Sequence, residues 1–130
     1  MFEKHRKMEG YVPNIKRTDG VQYGQYLVDH VARCGSCHNS SETVLTYGQY
    51  LAGGQTITRD DVTRSAPNIT ASDEYGIGSW TPEQLVHFLR SGETPDNRDI
   101  DPNFCPIPYY RAARPSDLQA MALYLRTVDY

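Results

Sequence analysis

The stretch "RCGSCHNS", residues 33–40, sets two cysteines around two small residues, with a histidine directly behind the second. Three chemistries use such a cluster: a zinc knuckle, a redox dithiol and a haem tether. A thioredoxin-like dithiol belongs in a βαβ setting, whereas the residues ahead of Cys34 read as a helix. A structural zinc site takes four ligands, usually including a second closely spaced pair. Here the remaining candidates (Cys105, His5, His30 and His87) are scattered singly. Cys34-Gly35-Ser36-Cys37-His38 matches in full the pattern by which c-type haem is attached. Thiols at this spacing can add to the two vinyl groups on one edge of a porphyrin. The histidine is then carried beneath the ring, where an imidazole nitrogen can bind iron. Gly35 and Ser36 are small enough to let the backbone lie close to that edge.

Outward from the motif, the chain alternates helical signals with long irregular stretches. From Val21 the pattern is helical, with Tyr23, Leu27, His30 and Val31 on one face, and it runs directly into Cys34. Residues 1–19 lack that periodicity and read as an N-terminal extension before a single domain over 20–130. Residues 39–80 read as mostly loop, punctuated by Gly48, Gly53, Gly54, Pro67, Gly76 and Gly78. So long an irregular stretch normally wraps something functional, and a bulky cofactor would supply the core it lacks. Thr81, Pro82 and Gln84 predict a capped helix start, followed by Leu85, Phe88 and Leu89 and stopped by Gly92. Ser116 reads as the N-cap of a last helix, with Gln119 three residues on and Leu118, Met121, Ala122 and Leu125 as its stripe. No alternating strand of useful length stands out. The expected fold is all-α, with three main helices and long loops around one covalently bound haem.

Composition narrows the function classes. The 130 residues fit one domain. A net charge of −3 and the lack of a Lys/Arg stripe speak against nucleic acid. The basic cluster "KHRK" at 4–7 reads as a solvated tail. No run approaches the roughly 20 apolar residues a membrane span needs, and the start "MFEKHRKMEG" has no apolar signal region. Either the protein is cytoplasmic or a leader was removed before this numbering begins. Ten tyrosines against three phenylalanines suit a partly wet pocket or interface.

At this point the sequence resembles a family. "YLVDHVARCGSCH" at 26–38, "APNIT" at 66–70, "GIGSWTPEQLVHFLRSGETPD" at 76–96 and "DLQAMALYLRTV" at 117–128 are similar to a monohaem c-type cytochrome domain. The chain resembles the cytochrome subunits and haem domains of bacterial membrane alcohol, aldehyde and gluconate dehydrogenases. The resemblance covers roughly residues 21–128. It implies a cytochrome c fold in which the first and last helices cross beside the haem, with Gly24 and Tyr124 as crossing partners. It also implies that Asn68 and Trp80 lie near the haem propionates, that Tyr110 belongs to the cofactor site, and that maturation is periplasmic or otherwise extracytoplasmic.

Those relatives place a methionine, followed by proline and an aromatic, as the second axial ligand. The matching segment here is "DPNFCPIPYY" at 101–110, and the matching position is Cys105. Either the iron lacks a sixth protein ligand or the Cys105 sulfur binds it. Met121 falls on an inward stripe and reads as core, Met1 and Met8 belong to the extension, and His30 and His87 read as structural or surface residues. Cys105 sits among Pro102, Pro106 and Pro108, which restrict loop conformations and preorganise a ligand. The alternative is a buried free cysteine acting as a small hydrophobe. The favoured metal ligands are therefore His38 and Cys105. The expected function is low-potential one-electron transfer to a redox protein partner or dehydrogenase complex. A thiosulfate-type redox enzyme and a haem-based redox or gas sensor with a displaceable cysteine are the alternatives. Arg111 and Arg114 are candidates to attract an anion, or plain surface residues.

Overall fold

Gly24 decides how the two ends of the domain meet. The computed structural model describes residues 20–40, 49–98 and 100–130, so the expected extension over 1–19 lies outside the described residues. Helix α1, Gly20–Tyr26, packs across α5, Pro115–Leu125. A Cβ added at Gly24 would lie 2.0 Å from the Ala120 carbonyl oxygen and 2.8 Å from Tyr124 Cβ. Only a missing side chain admits that approach, and the crossing is the one expected of Gly24 and Tyr124.

α1 continues into a π-helical turn, Leu27–Val31. The wider turn, with Ala32 N–H donating to the Leu27 carbonyl at 2.7 Å, changes which residues face inward. Tyr23, Leu27 and Val28 are buried and Ala32 packs against the core. His30 and Val31, expected on the inward face, are instead exposed. One extra residue per turn passes the inward position from Val31 to Ala32.

After the short α2, Gly35–His38, comes a two-stranded antiparallel hairpin: β1, Thr56–Arg59, and β2, Val62–Ser65. The expectation of an all-α chain without strands is corrected here. Among the described residues there are five α-helices, the π-turn and this small sheet. Apart from the half-buried Ile57, every strand residue is exposed, so no buried face imprints an alternating pattern. The hairpin turns at Asp60 and Asp61, both at positive φ (51° and 66°). Two left-handed residues in a two-residue loop match the twist of the strands, a place usually filled by Asn-Gly or Asp-Gly.

α3, Pro82–Ser91, starts as the sequence requires. Thr81 Oγ1 accepts from Gln84 N–H at 3.1 Å, while Thr81 N–H donates to Gln84 Oε1 at 2.9 Å. Gly92 ends it in the left-handed conformation. α4, Ile107–Arg111, is a short helix that periodicity did not reveal. In α5 the cap is Arg114 and not Ser116, because Pro115 takes the first helical position, where its fixed φ fits and its missing N–H costs nothing. Leu118, Met121, Ala122 and Leu125 are buried as expected, and Ala120 and Tyr124 join them. α5 is thus covered on more than one side, by α1 and by α3. The irregular segments are tied by hydrogen bonds: Ala71 N–H to the Val128 carbonyl (2.8 Å), Ile69 N–H to the Leu51 carbonyl (3.0 Å) and Leu51 N–H to Asn39 Oδ1 (2.8 Å).

Candidate functional site

One helical turn presents Cys34, Cys37 and His38. His38 N–H bonds the Cys34 carbonyl at 2.9 Å, so Cys34, Cys37 and His38 stand at i, i+3 and i+4 and share a face. All three line one cavity of about 430 Å³, within the size range of cofactor pockets. The His38 ring is oriented from behind: Nδ1 lies 2.8 Å from the Pro67 carbonyl oxygen. A carbonyl can only accept, so Nδ1 carries the hydrogen and Nε2 keeps its lone pair. Burial holds His38 below the ordinary histidine pKa, against the opposing pull of the Pro67 carbonyl. It is therefore a neutral imidazole, the form that ligates metal.

Gly53 secures the same corner. Its N–H donates to the His38 carbonyl at 2.5 Å, and a Cβ there would lie 2.5 Å from Asn68 N. At φ 77° the position favours glycine on conformational grounds as well.

Cys105 comes from another wall. The Asp101 carbonyl accepts both Phe104 N–H (2.9 Å) and Cys105 N–H (3.1 Å), folding residues 101–105 into a compact turn, and Ile107 N–H closes on the Cys105 carbonyl at 2.7 Å. Burial first, then the neighbouring Cys37, pushes the Cys105 thiol up to about 11. Burial, then Cys105 and Asp29, pushes Cys34 up to about 12. Tyr110 on α4 is raised as well, by burial and then by all three cysteines. The three sulfurs thus share one apolar space. Yet among the described residues no three His, Cys, Asp or Glu side chains stand close enough to hold a single metal ion. Donors that face one cavity without converging on a point suit a broad flat ligand better than a zinc ion.

The other expected site residues lie on the same walls. Asn68, Trp80 and Tyr110 line the cavity. Asn68 Oδ1 accepts from Thr70 N–H and Thr70 Oγ1 (2.8 and 2.6 Å), which fixes its side chain. Trp80 meets Phe88 edge-on at 5.7 Å, and its carbonyl accepts from Arg126 Nη1. Met121 is both core and cavity wall. Neither His30, which tilts against Tyr26, nor His87, which pairs with Glu93 at 2.9 Å, lines it. Arg111 and Arg114 do not line it either; Arg111 Nε donates to the Arg90 carbonyl at 2.7 Å. The sequence reading missed the Pro67 carbonyl, Gly53, Ile57, Arg64 and Phe104. Only the β-branched residues flanking Asp60-Asp61 offered a signal, for the hairpin that carries two of them.

Known proteins resemble this sequence. The chain is 36% identical over 127 residues to the fructose dehydrogenase cytochrome subunit of Gluconobacter japonicus, covering 94% of this chain and 25% of that protein. It is 33% identical over 95 residues to a diheme c-type cytochrome of Cereibacter sphaeroides, 73% of this chain and 32% of that one. It is 31% identical over 118 residues to the cytochrome c subunit of the quinone-type alcohol dehydrogenase of Gluconobacter oxydans, 83% of this chain and 24% of that one. It is a c-type cytochrome that resembles these subunits. No family profile matches the sequence, and the chain spans about a quarter to a third of the length of these relatives.

The relationship implies covalently bound haem c, and the residues of this cytochrome fit that group. Two thiols and an imidazole with its Nε2 free share one helix face, and the cavity walls are built from apolar side chains such as Leu85, Leu89 and Leu125. Among the described residues no helix is long and apolar enough to cross a membrane.

Proposed function

We propose that this chain holds one haem, tethered by Cys34 and Cys37 and ligated by His38 and Cys105, and that it passes single electrons between a dehydrogenase and an acceptor outside the cytoplasmic membrane. The bound haem would supply a one-electron ferric/ferrous couple. The observation that carries the reading is the placement of three thiols and a neutral, oriented imidazole on the walls of one cavity. A count of one follows from a single attachment motif and three cysteines, all of which the proposal uses. The chain's share of its relatives' length suits one domain of a larger cytochrome subunit.

Each residue has a defined task. The Pro67 carbonyl holds His38 in the tautomer that presents Nε2. Cys105, fixed by the Asp101 turn, would hold the iron through an anionic sulfur, since nearby positive charge lowers a thiol's pKa. A thiolate favours the ferric state, so the potential should lie below that of a Met-ligated relative, by on the order of a few tenths of a volt. Asn68 and Trp80 are the polar candidates for the propionate edge, and Tyr110 lines the same cavity as the cysteines.

The test is spectroscopic. The oxidised protein should be low-spin with a thiolate-to-iron charge-transfer band, lost in Cys105→Ala. Cys105→Met should raise the potential, because a neutral thioether no longer favours ferric iron. A spectrum and potential indifferent to Cys105→Ala would exclude cysteine ligation. Rapid reduction by thiosulfate alone would replace electron transfer between proteins with sulfur-compound chemistry.

A further inference from the structure

The hairpin β1–β2 touches the support of both residues proposed to hold the iron. At its end, Ser65 leads through Ala66 to Pro67, whose carbonyl orients His38. On β2, Arg64 lies over the Phe104 ring at 5.7 Å from its centre, one residue before Cys105. Arg64 pairs in register with Ile57, so the two share a face of the hairpin, and both line the cavity with Phe104. The hairpin buries almost nothing of its own, and an isolated two-stranded hairpin is marginal in water. It is anchored at its base, where Gly54 N–H bonds the Ala66 carbonyl and Ala66 N–H the Gln55 carbonyl, each at 2.8 Å. Arg64 on Phe104 gives it a second contact, with the cysteine loop.

We infer that Arg64 is a positioning residue for Cys105. Its guanidinium on Phe104 latches the 101–105 turn to the hairpin, so the segment that orients His38 also keeps Cys105 against the cavity. This rests on the Cys105 ligation proposed above. An external ligand must compete with the closed loop, so its apparent affinity falls by the factor that favours closure. An exposed cation–π contact contributes roughly a two- to fivefold factor. Removing the latch should therefore tighten external ligands by roughly two- to fivefold.

The experiment uses the haem-loaded chain and imidazole, a neutral probe whose affinity does not respond directly to a lost positive charge. The ferric spectrum is recorded first, to establish the thiolate band. Imidazole is then titrated into the wild type, Arg64→Ala, Arg64→Lys, Phe104→Leu and the double variant Arg64→Ala/Phe104→Leu. Arg64→Ala should bind imidazole roughly two- to fivefold more tightly, and Arg64→Lys should restore part of the wild-type resistance. The double variant should bind no more tightly than Phe104→Leu alone, the non-additivity expected of residues in contact. A present thiolate band with unchanged imidazole affinity in Arg64→Ala, or with additive effects in the double variant, overturns the latch and leaves the ligation standing. Absence of the band from the wild type overturns the ligation, and the latch with it.

Discussion

At Gly24 the Cα of one helix rests on the backbone of another. The nearest atoms to an added Cβ are the Ala120 carbonyl oxygen and carbon, at 2.0 and 2.7 Å. Backbone atoms cannot rotate away, so even Gly24→Ala forces α1 and α5 apart, and its helix-propensity gain cannot compensate. The expected cost is about 1–3 kcal/mol, read as a lower denaturant midpoint of the haem-loaded protein. A midpoint equal to the wild type would show that the crossing is looser than these distances. At this scale the grouping of Cys34, Cys37 and His38 on one cavity wall was legible, because their spacing puts them on one helix face. That Cys105 faces the same cavity was suggested only through resemblance. The Pro67 carbonyl that sets the His38 tautomer was not, since any residue carries a carbonyl and only the folded chain brings it 2.8 Å from Nδ1.

Among the elements, α3 was readable from its cap and the hairpin was not, for one physical reason. A cap is a local hydrogen-bond pattern between Thr81 and Gln84, three residues apart. Thr81→Ala should lower stability by about 1 kcal/mol at an unchanged denaturant slope, and an unaltered midpoint would deny the cap any role. The hairpin lies outside the core, so its strands carry no apolar alternation to read. The last helix misled differently: Ser116 is a good cap residue, but Pro115 one place earlier claims the first turn. The π-turn also escaped detection, and it has a partner. Asp29, within it, accepts a hydrogen bond from Tyr50 Oη, which meets Tyr124 Oη at 2.9 Å. This joins Tyr50, beyond α2, to the π-turn that continues α1 and to α5. Burial, then hydrogen bonding to Asp29 and Tyr124, raises the Tyr50 pKa above its ordinary 10.0. A group raised on folding contributes stability that is complete below pH 10 and is lost as pH rises. Tyr50→Phe should cost about 0.5–1 kcal/mol near neutrality, the low end because the ring is partly exposed. It should also soften the alkaline loss. Urea melts at pH 8 and above pH 10 measure both, and a variant that tracks the wild type at each pH would remove this network from the account.

The molecule as a whole is organised around space. Leu85, Leu89, Met121 and Leu125 are buried core residues that also line the cavity of about 430 Å³, far larger than the voids close-packed interiors keep. Apolar walls gain dispersion contacts when a group of matching shape packs against them. The haem proposed here would complete that core and give segments 49–80 and 100–106 apolar packing beyond their few mutual contacts, such as Arg64 on Phe104. Its removal should therefore do more than lower a midpoint. In Cys34→Ala/Cys37→Ala, prepared without haem, the crossing of α1 on α5 has its own contacts and should retain much of the helical far-ultraviolet signal. The segments that face the cavity should lose fixed packing, with a weakened near-ultraviolet signal, binding of a hydrophobic dye and a broadened melt. The haem-loaded wild type should melt sharply and exclude the dye. A haem-free variant that melts as sharply, and binds no dye, would mean that the loops close a core of their own. The cavity would then be an ordinary pocket in a self-sufficient fold.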